Sequence, residues 1–184
     1  MKLTKYLLLF CLISLSCNSQ KEYLFVENYI KNNNPDLSHT FLNTKNNDYN
    51  QVLNFYIERE SFLVKNNSKS ELEKWIFTKE ELKQMQDFYQ EKTMQPWSSK
   101  QLSFLKRIKL DTLKGKSMYT FFQTNKNKVV SVSKPLYNID KNKCMFFYSF
   151  TNGLTGNSQN YLVTFLKEED VWKEVGKIYS GNLH

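Results

Sequence analysis

The chain has 184 residues, with 26 Lys+Arg against 18 Asp+Glu and a formal net charge of +8. Aromatic side chains make up 15% of it, enough large apolar surface for a packed core without help from crosslinks. The basic balance points toward anionic partners, but arginine occurs only at Arg59 and Arg107, and the lysines are scattered without a run of four. Alanine is absent while Asn, Lys, Phe, Tyr and Ile abound. AT-rich coding produces that bias without selection for charge, so nucleic-acid binding is disfavoured.

Residues 1–16 form a leader, with a basic start from Met1 to Lys5, an apolar run from Tyr6 to Leu15, and the small residue Ser16 before Cys17. The apolar run is far shorter than the roughly 20 residues that span a bilayer core. The Leu15-Ser16-Cys17 ending resembles the lipobox of bacterial lipoproteins, in the looser Ser-Leu-Ser-Cys form common in Bacteroidota. That resemblance implies cleavage before Cys17 and attachment of a diacylglycerol to its thiol, with palmitate-type chains and no cofactor. Two or more chains hold a protein firmly, each buried methylene contributing about 0.8 kcal/mol. Residues 17–21 then read as a lipidated polar tether. No Asp follows the cysteine, which by resemblance to lipoprotein sorting favours the outer membrane. Without Lys2 and Lys5 the mature chain keeps 24 basic against 18 acidic residues. With Cys17 acylated, Cys144 is left with no disulfide partner.

Residues 22–184 are expected to form a single α+β domain. Phe25, Val26, Tyr29 and Ile30 fall at helical spacing, so residues 22–30 predict a short helix stopped at Asn32-Asn33-Asn34-Pro35. Residues 36–47 read as a loop with Leu37, Phe41 and Leu42 as anchor points. Residues 52–64 are rich in β-branched and aromatic side chains, and strand is preferred over helix. Thr78 and Glu81 form a capping box ahead of Leu82, Met85 and Tyr89, which predicts a helix over 79–92. Pro96 and Trp97 end that stretch. Ser98 or Ser99 is placed to cap a further helix with Leu102 and Leu105 on one face.

The C-terminal third reads as four strands, 129–137, 143–150, 161–166 and 171–179, split by turns at 138–142 and 167–170. Close sequential strands pair antiparallel, so the expected fold is N-terminal helices packed on a C-terminal four-stranded antiparallel β-meander. The two middle strands are apolar at nearly every position, which requires cover on both faces.

Phe77-Thr78-Lys79-Glu80-Glu81-Leu82, Pro96-Trp97, Val130 to Tyr137, Asp140 to Lys143, Gly153-Leu154-Thr155-Gly156 and Trp172-Lys173 occur in an order similar to a group of small Bacteroidota envelope proteins without assigned activity. The resemblance covers residues 75–180. It implies the fold and the compartment only. Members carry a Cys-Gly-Gly-Leu-Cys-Gly turn where this chain has Thr151-Asn152-Gly153-Leu154-Thr155-Gly156, so any clip or metal role of those cysteines is missing here.

No catalytic, cofactor or metal site emerges. His39 and His184 are the only histidines and have no ligand spacing. A hydrolase centred on His39 lacks a nucleophile-elbow sequence around any serine. Cys144 sits in an apolar strand and reads as a core thiol. Glu58 and Glu60 would share a face on a strand, but with Arg59 they read better as a solvated face. Glu168-Glu169-Asp170 reads as a hairpin turn, and Trp75, Trp97 and Trp172 read as core. The favoured surface is the loop between the two most buried strands, with Thr151, Asn152, Gly153, Thr155, Gly156 and Asn157 as candidate binding residues. The expected class is a membrane-anchored envelope protein that binds a protein or glycan partner. An inhibitor or immunity lipoprotein against a toxin or hydrolase is the alternative.

Overall fold

The computed structural model describes residues 23–45, 48–66, 72–153 and 157–179. Cys17, the leader and His184 lie outside the described residues. The described residues divide into two compact units, one ending at Ser38 and one beginning at His39.

In the first unit, α1 (Leu24–Asn33) buries Val26, Tyr29 and Ile30. It runs three residues beyond the expected end. Asn33 and Asn34 donate their side-chain amides to the carbonyls of Tyr29 and Ile30, one turn back, which prolongs the helix into the Asn run. Pro35 then follows.

The second unit holds β1 (Thr40–Asn43), α2 (Tyr49–Lys65), α3 (Lys79–Tyr89), β2 (Lys106–Ile108), the single-turn α4 (Lys116–Tyr119), β3 (Lys128–Val132), β4 (Leu136–Tyr137), β5 (Lys143–Asn152), β6 (Ser158–Glu168) and β7 (Val171–Tyr179). The class is α+β, but the expected four-stranded antiparallel meander is wrong. The sheet has seven strands in the order β2-β1-β3-β5-β6-β7, with β4 paired to β5. It is mixed, because β1 runs parallel to both β2 and β3 while β3, β5, β6 and β7 alternate. The predicted run 129–137 is two strands. They break at Ser133, whose N–H donates to the Phe147 carbonyl and whose hydroxyl accepts from the Phe147 N–H. Pro135 has no N–H to continue a ladder.

Three further expectations are corrected. Residues 36–47 are not merely a loop, since Phe41 and Leu42 lie in β1, an interior strand. Residues 52–64 are helical in α2. Asp48 caps it in a box with Gln51, and Val52, Leu53, Tyr56 and Leu63 fall on its buried side. No helix follows Ser98. The chain turns instead, because Leu102 adopts φ 52°, although Leu102 and Leu105 are both buried. α3 forms as expected on its Thr78–Glu81 box and buries Leu82, Met85 and Tyr89, but it ends at Tyr89.

Register assigns the two faces of the sheet. Met145, Leu162 and Ile178, with Leu136, pack with α2 and α3 in one cluster around Tyr56 and Met85. Cys144, Phe146, Val163 and Phe165 point the opposite way by strand alternation and are buried as well. The middle strands are therefore covered on both faces, as their apolar runs require.

Candidate functional site

β2 and β3 run in the same direction on either side of β1, so residues 109–127 must cross over β1 to join them. This crossover comprises a 3-10 turn (Leu110–Thr112), α4, and a single π turn (Thr120–Thr124) closed by the Asn125 N–H donating to the Thr120 carbonyl at 3.0 Å. π turns are rare and recur at functional sites. The Phe121 ring meets Phe41 of β1 edge-on, with centroids 5.1 Å apart, and Phe122 meets Phe121 in the same way. Asn43 stitches the other end. Its amide donates to Ser131 Oγ at 3.1 Å, and its Oδ1 accepts from the Leu110 N–H.

The described start of the candidate loop meets this crossover at Gly153. β5 continues through Asn152 and β6 starts at Ser158, so Thr151 and Asn152 are strand residues and the turn is narrower than expected. Thr151 and Ser158 bond through their hydroxyls at 3.0 Å, and the Asn152 N–H donates to the Asn157 carbonyl at 2.9 Å. Thr155 and Gly156 lie outside the described residues. Gly153 is buried, and its N–H donates to the Asn127 carbonyl at 3.2 Å. A Cβ on Gly153 would lie 2.5 Å from the Asn127 oxygen and 2.7 Å from that of Phe122. Gly153 therefore fastens the end of β5 to the backbone of the crossover and presents nothing to a ligand.

The crossover, Lys109 to Asn127, presents a surface beside Gly153. A shallow hollow of about 470 Å³ on it is lined by Leu113, Lys116, Ser117, Thr120, Phe121 and Asn125. Tyr119 beside it is 66% exposed. Sequence reasoning found the loop and missed the crossover, whose lysines come in ones and twos. A count of charge over a wider window was the signal available.

The other candidates resolve as structure. His39 is exposed in a turn at φ 56°, and its carbonyl accepts from the Lys128 N–H. Glu58 and Glu60 lie two apart on α2, so they diverge instead of sharing a strand face. Burial raises the Glu60 carboxyl above its ordinary value. Glu169 and Asp170 are the two turn residues between β6 and β7, both at positive φ as a tight hairpin requires. Trp97 is buried and donates to the Val132 carbonyl at 2.8 Å, whereas Trp75 and Trp172 are half-buried. Lys134 lies over the Trp97 ring, its ammonium 4.5 Å from the centroid, and burial lowers its pKa. Arg107 bonds the Trp97, Ser98 and Gln101 carbonyls, which pins the turn ahead of β2.

Cys144 is fully buried, and burial pushes its thiol well above the ordinary range. It is expected to resist an aromatic disulfide reagent in the native protein and to react at once in denaturant. Rapid native labelling would show that β5 opens locally. Among the described residues no group of three His, Cys, Asp or Glu side chains is placed to hold a metal ion, and no helix is long and apolar enough to cross a membrane.

No family model, curated protein or solved structure matches the chain.

Proposed function

We propose that the chain is a bacterial envelope protein carried on a membrane by lipid at Cys17, whose folded part acts by binding a protein or glycan partner. The reading rests on the leader that ends in Leu15-Ser16-Cys17. Support for a binding role comes from one observation, the seating of Gly153 on the backbone of Phe122 and Asn127, which fixes the end of β5 against the crossover. A surface fixed in advance loses less freedom when a partner arrives.

Metabolic labelling with an alkyne fatty acid tests the anchor. The wild-type chain, expressed in a bacterial host, is expected to incorporate label and to fractionate with membranes. Cys17→Ala is expected to lose the label and to retain the unprocessed leader. Equal labelling of the two proteins would sink the proposal.

A further inference from the structure

Residues 106–128 carry seven basic side chains, Lys106, Arg107, Lys109, Lys114, Lys116, Lys126 and Lys128, against the single acid Asp111. That excess of six equals the whole net charge of the mature chain, leaving 17 basic and 17 acidic residues elsewhere. The charge that looks scattered along the sequence thus belongs to one segment, β2 and the crossover. Lysines on an edge strand keep other chains from pairing with it, which accounts for β2 but not for the crossover.

The two ends of the β5-β6-β7 hairpins are also unlike. At the end away from the crossover, three of four lysines are paired among the described residues, Lys143 with Glu81 at 2.8 Å, Lys167 with Asp170 at 2.8 Å, and Lys173 with Glu168, while Lys141 is not. That end also carries the acidic turn residues Glu169 and Asp170. On the crossover side, Lys106, Lys109, Lys114, Lys116 and Lys126 make no ion pair among the described residues. Between Lys106 and Lys126 along the chain lie exposed Tyr119, half-buried Met118 and the apolar hollow that Leu113, Phe121 and Lys116 line.

We propose that β2 and the crossover dock the protein on an anionic lipid surface, the lysines meeting headgroup phosphates while Tyr119 and the rim of the hollow enter the headgroup layer. Unpaired lysines around an aromatic suit such a surface, each near-surface charge contributing about 1 kcal/mol. Nucleic acid fits less well. The one arginine of the segment already spends its guanidinium on three carbonyls, so it has no free planar fork for phosphate or base edges. The inference deepens the proposed function by setting which face of the domain turns toward the membrane, and in that respect it rests on the anchored reading.

The test uses purified chain on vesicles of phosphatidylcholine alone or with phosphatidylglycerol. A polarity-sensitive fluorophore is placed at Gln123→Cys on the π turn or at Glu169→Cys. These sites lie toward opposite ends of β6, an eleven-residue strand roughly 35 Å long. Flotation on both vesicle types reports the anchor, and emission reports docking. The Gln123→Cys label is expected to shift to the blue only on anionic vesicles and to return to its aqueous emission in high salt. The shift is also expected to be lost in Lys114→Glu/Lys116→Glu/Lys126→Glu, while the Glu169→Cys label stays unchanged throughout. If the chain proves unlipidated, flotation with anionic vesicles alone carries the same test, and failure to float overturns docking. Identical emission on the two vesicle types overturns it for a lipidated chain. So does salt-sensitive binding of a single-stranded oligonucleotide that anionic vesicles do not displace.

Discussion

Gly153→Ala is expected to cost about 3 kcal/mol, near the top of the range for a single substitution. The added methyl meets two carbonyl oxygens, of Asn127 and Phe122, that belong to the backbone and have no rotamer through which to retreat. Either the turn lifts from the crossover or the π turn unwinds. For a domain of this size the loss corresponds to a fall in Tm of roughly 6–12 °C. Urea titration and thermal melting of the two proteins measure it. A variant as stable as wild type would show that the loop and crossover are not joined, and would remove the observation on which the binding surface stands.

The second large effect is expected at Glu81. Its carboxylate accepts from the Thr78 N–H at 2.8 Å, from the Asn138 amide at 3.0 Å and from the Lys143 ammonium at 2.8 Å. It therefore ties the start of α3 to the turn before β5. Burial alone would raise this carboxyl, but the Lys143 ammonium, the Thr78 N–H and the Asn138 amide together hold it below its ordinary value of 4.5. A carboxyl lowered on folding stabilises the protein fully above its unfolded pKa, and that contribution fades as pH falls through the folded one. Glu81→Gln is expected to lose about 2 kcal/mol at pH 7, the scale of a charge-assisted bond. The gap should hold down to about pH 5 and narrow below the unfolded value near 4.5. Denaturant curves at pH 7 and pH 3.5 decide it, and a gap of the same size at both would remove the charge from the account.

The elements legible in the sequence are those whose signals are local. Thr78 and Glu81 lie three apart and announce α3 by themselves. The apolar runs of β5 and β6, and a turn before β7, need no distant partner to be recognised, although the turn is the two residues Glu169 and Asp170 and not all of 167–170. β1 had no such signal. Its four residues sit among Asn, Thr and Ser, and its neighbours in the sheet come from residues 106–108 and 128–130. The helix α2 was misread because Val52, Phe55, Tyr56 and Ile57 weigh toward strand by composition. The Asp48 and Gln51 capping pair and the helical spacing of its apolar side outweigh that preference. The candidate surface divides in the same way. The loop could be found from the two buried strands it joins, whereas Lys106 and Lys128 come to flank β1 only after the chain has crossed it.

The position of β1 also bears on the order in which the protein can be completed. Asn43 waits for Ser131, 88 residues further along, before its amide finds a partner. A chain emerging N-terminus first carries Phe41 and Leu42 without either neighbouring strand until most of its length has appeared. The parallel part of the sheet is therefore a late product of synthesis, and closing such distant contacts is slow. That delay makes any product truncated before residue 128 one in which β1 has no parallel neighbour at β3.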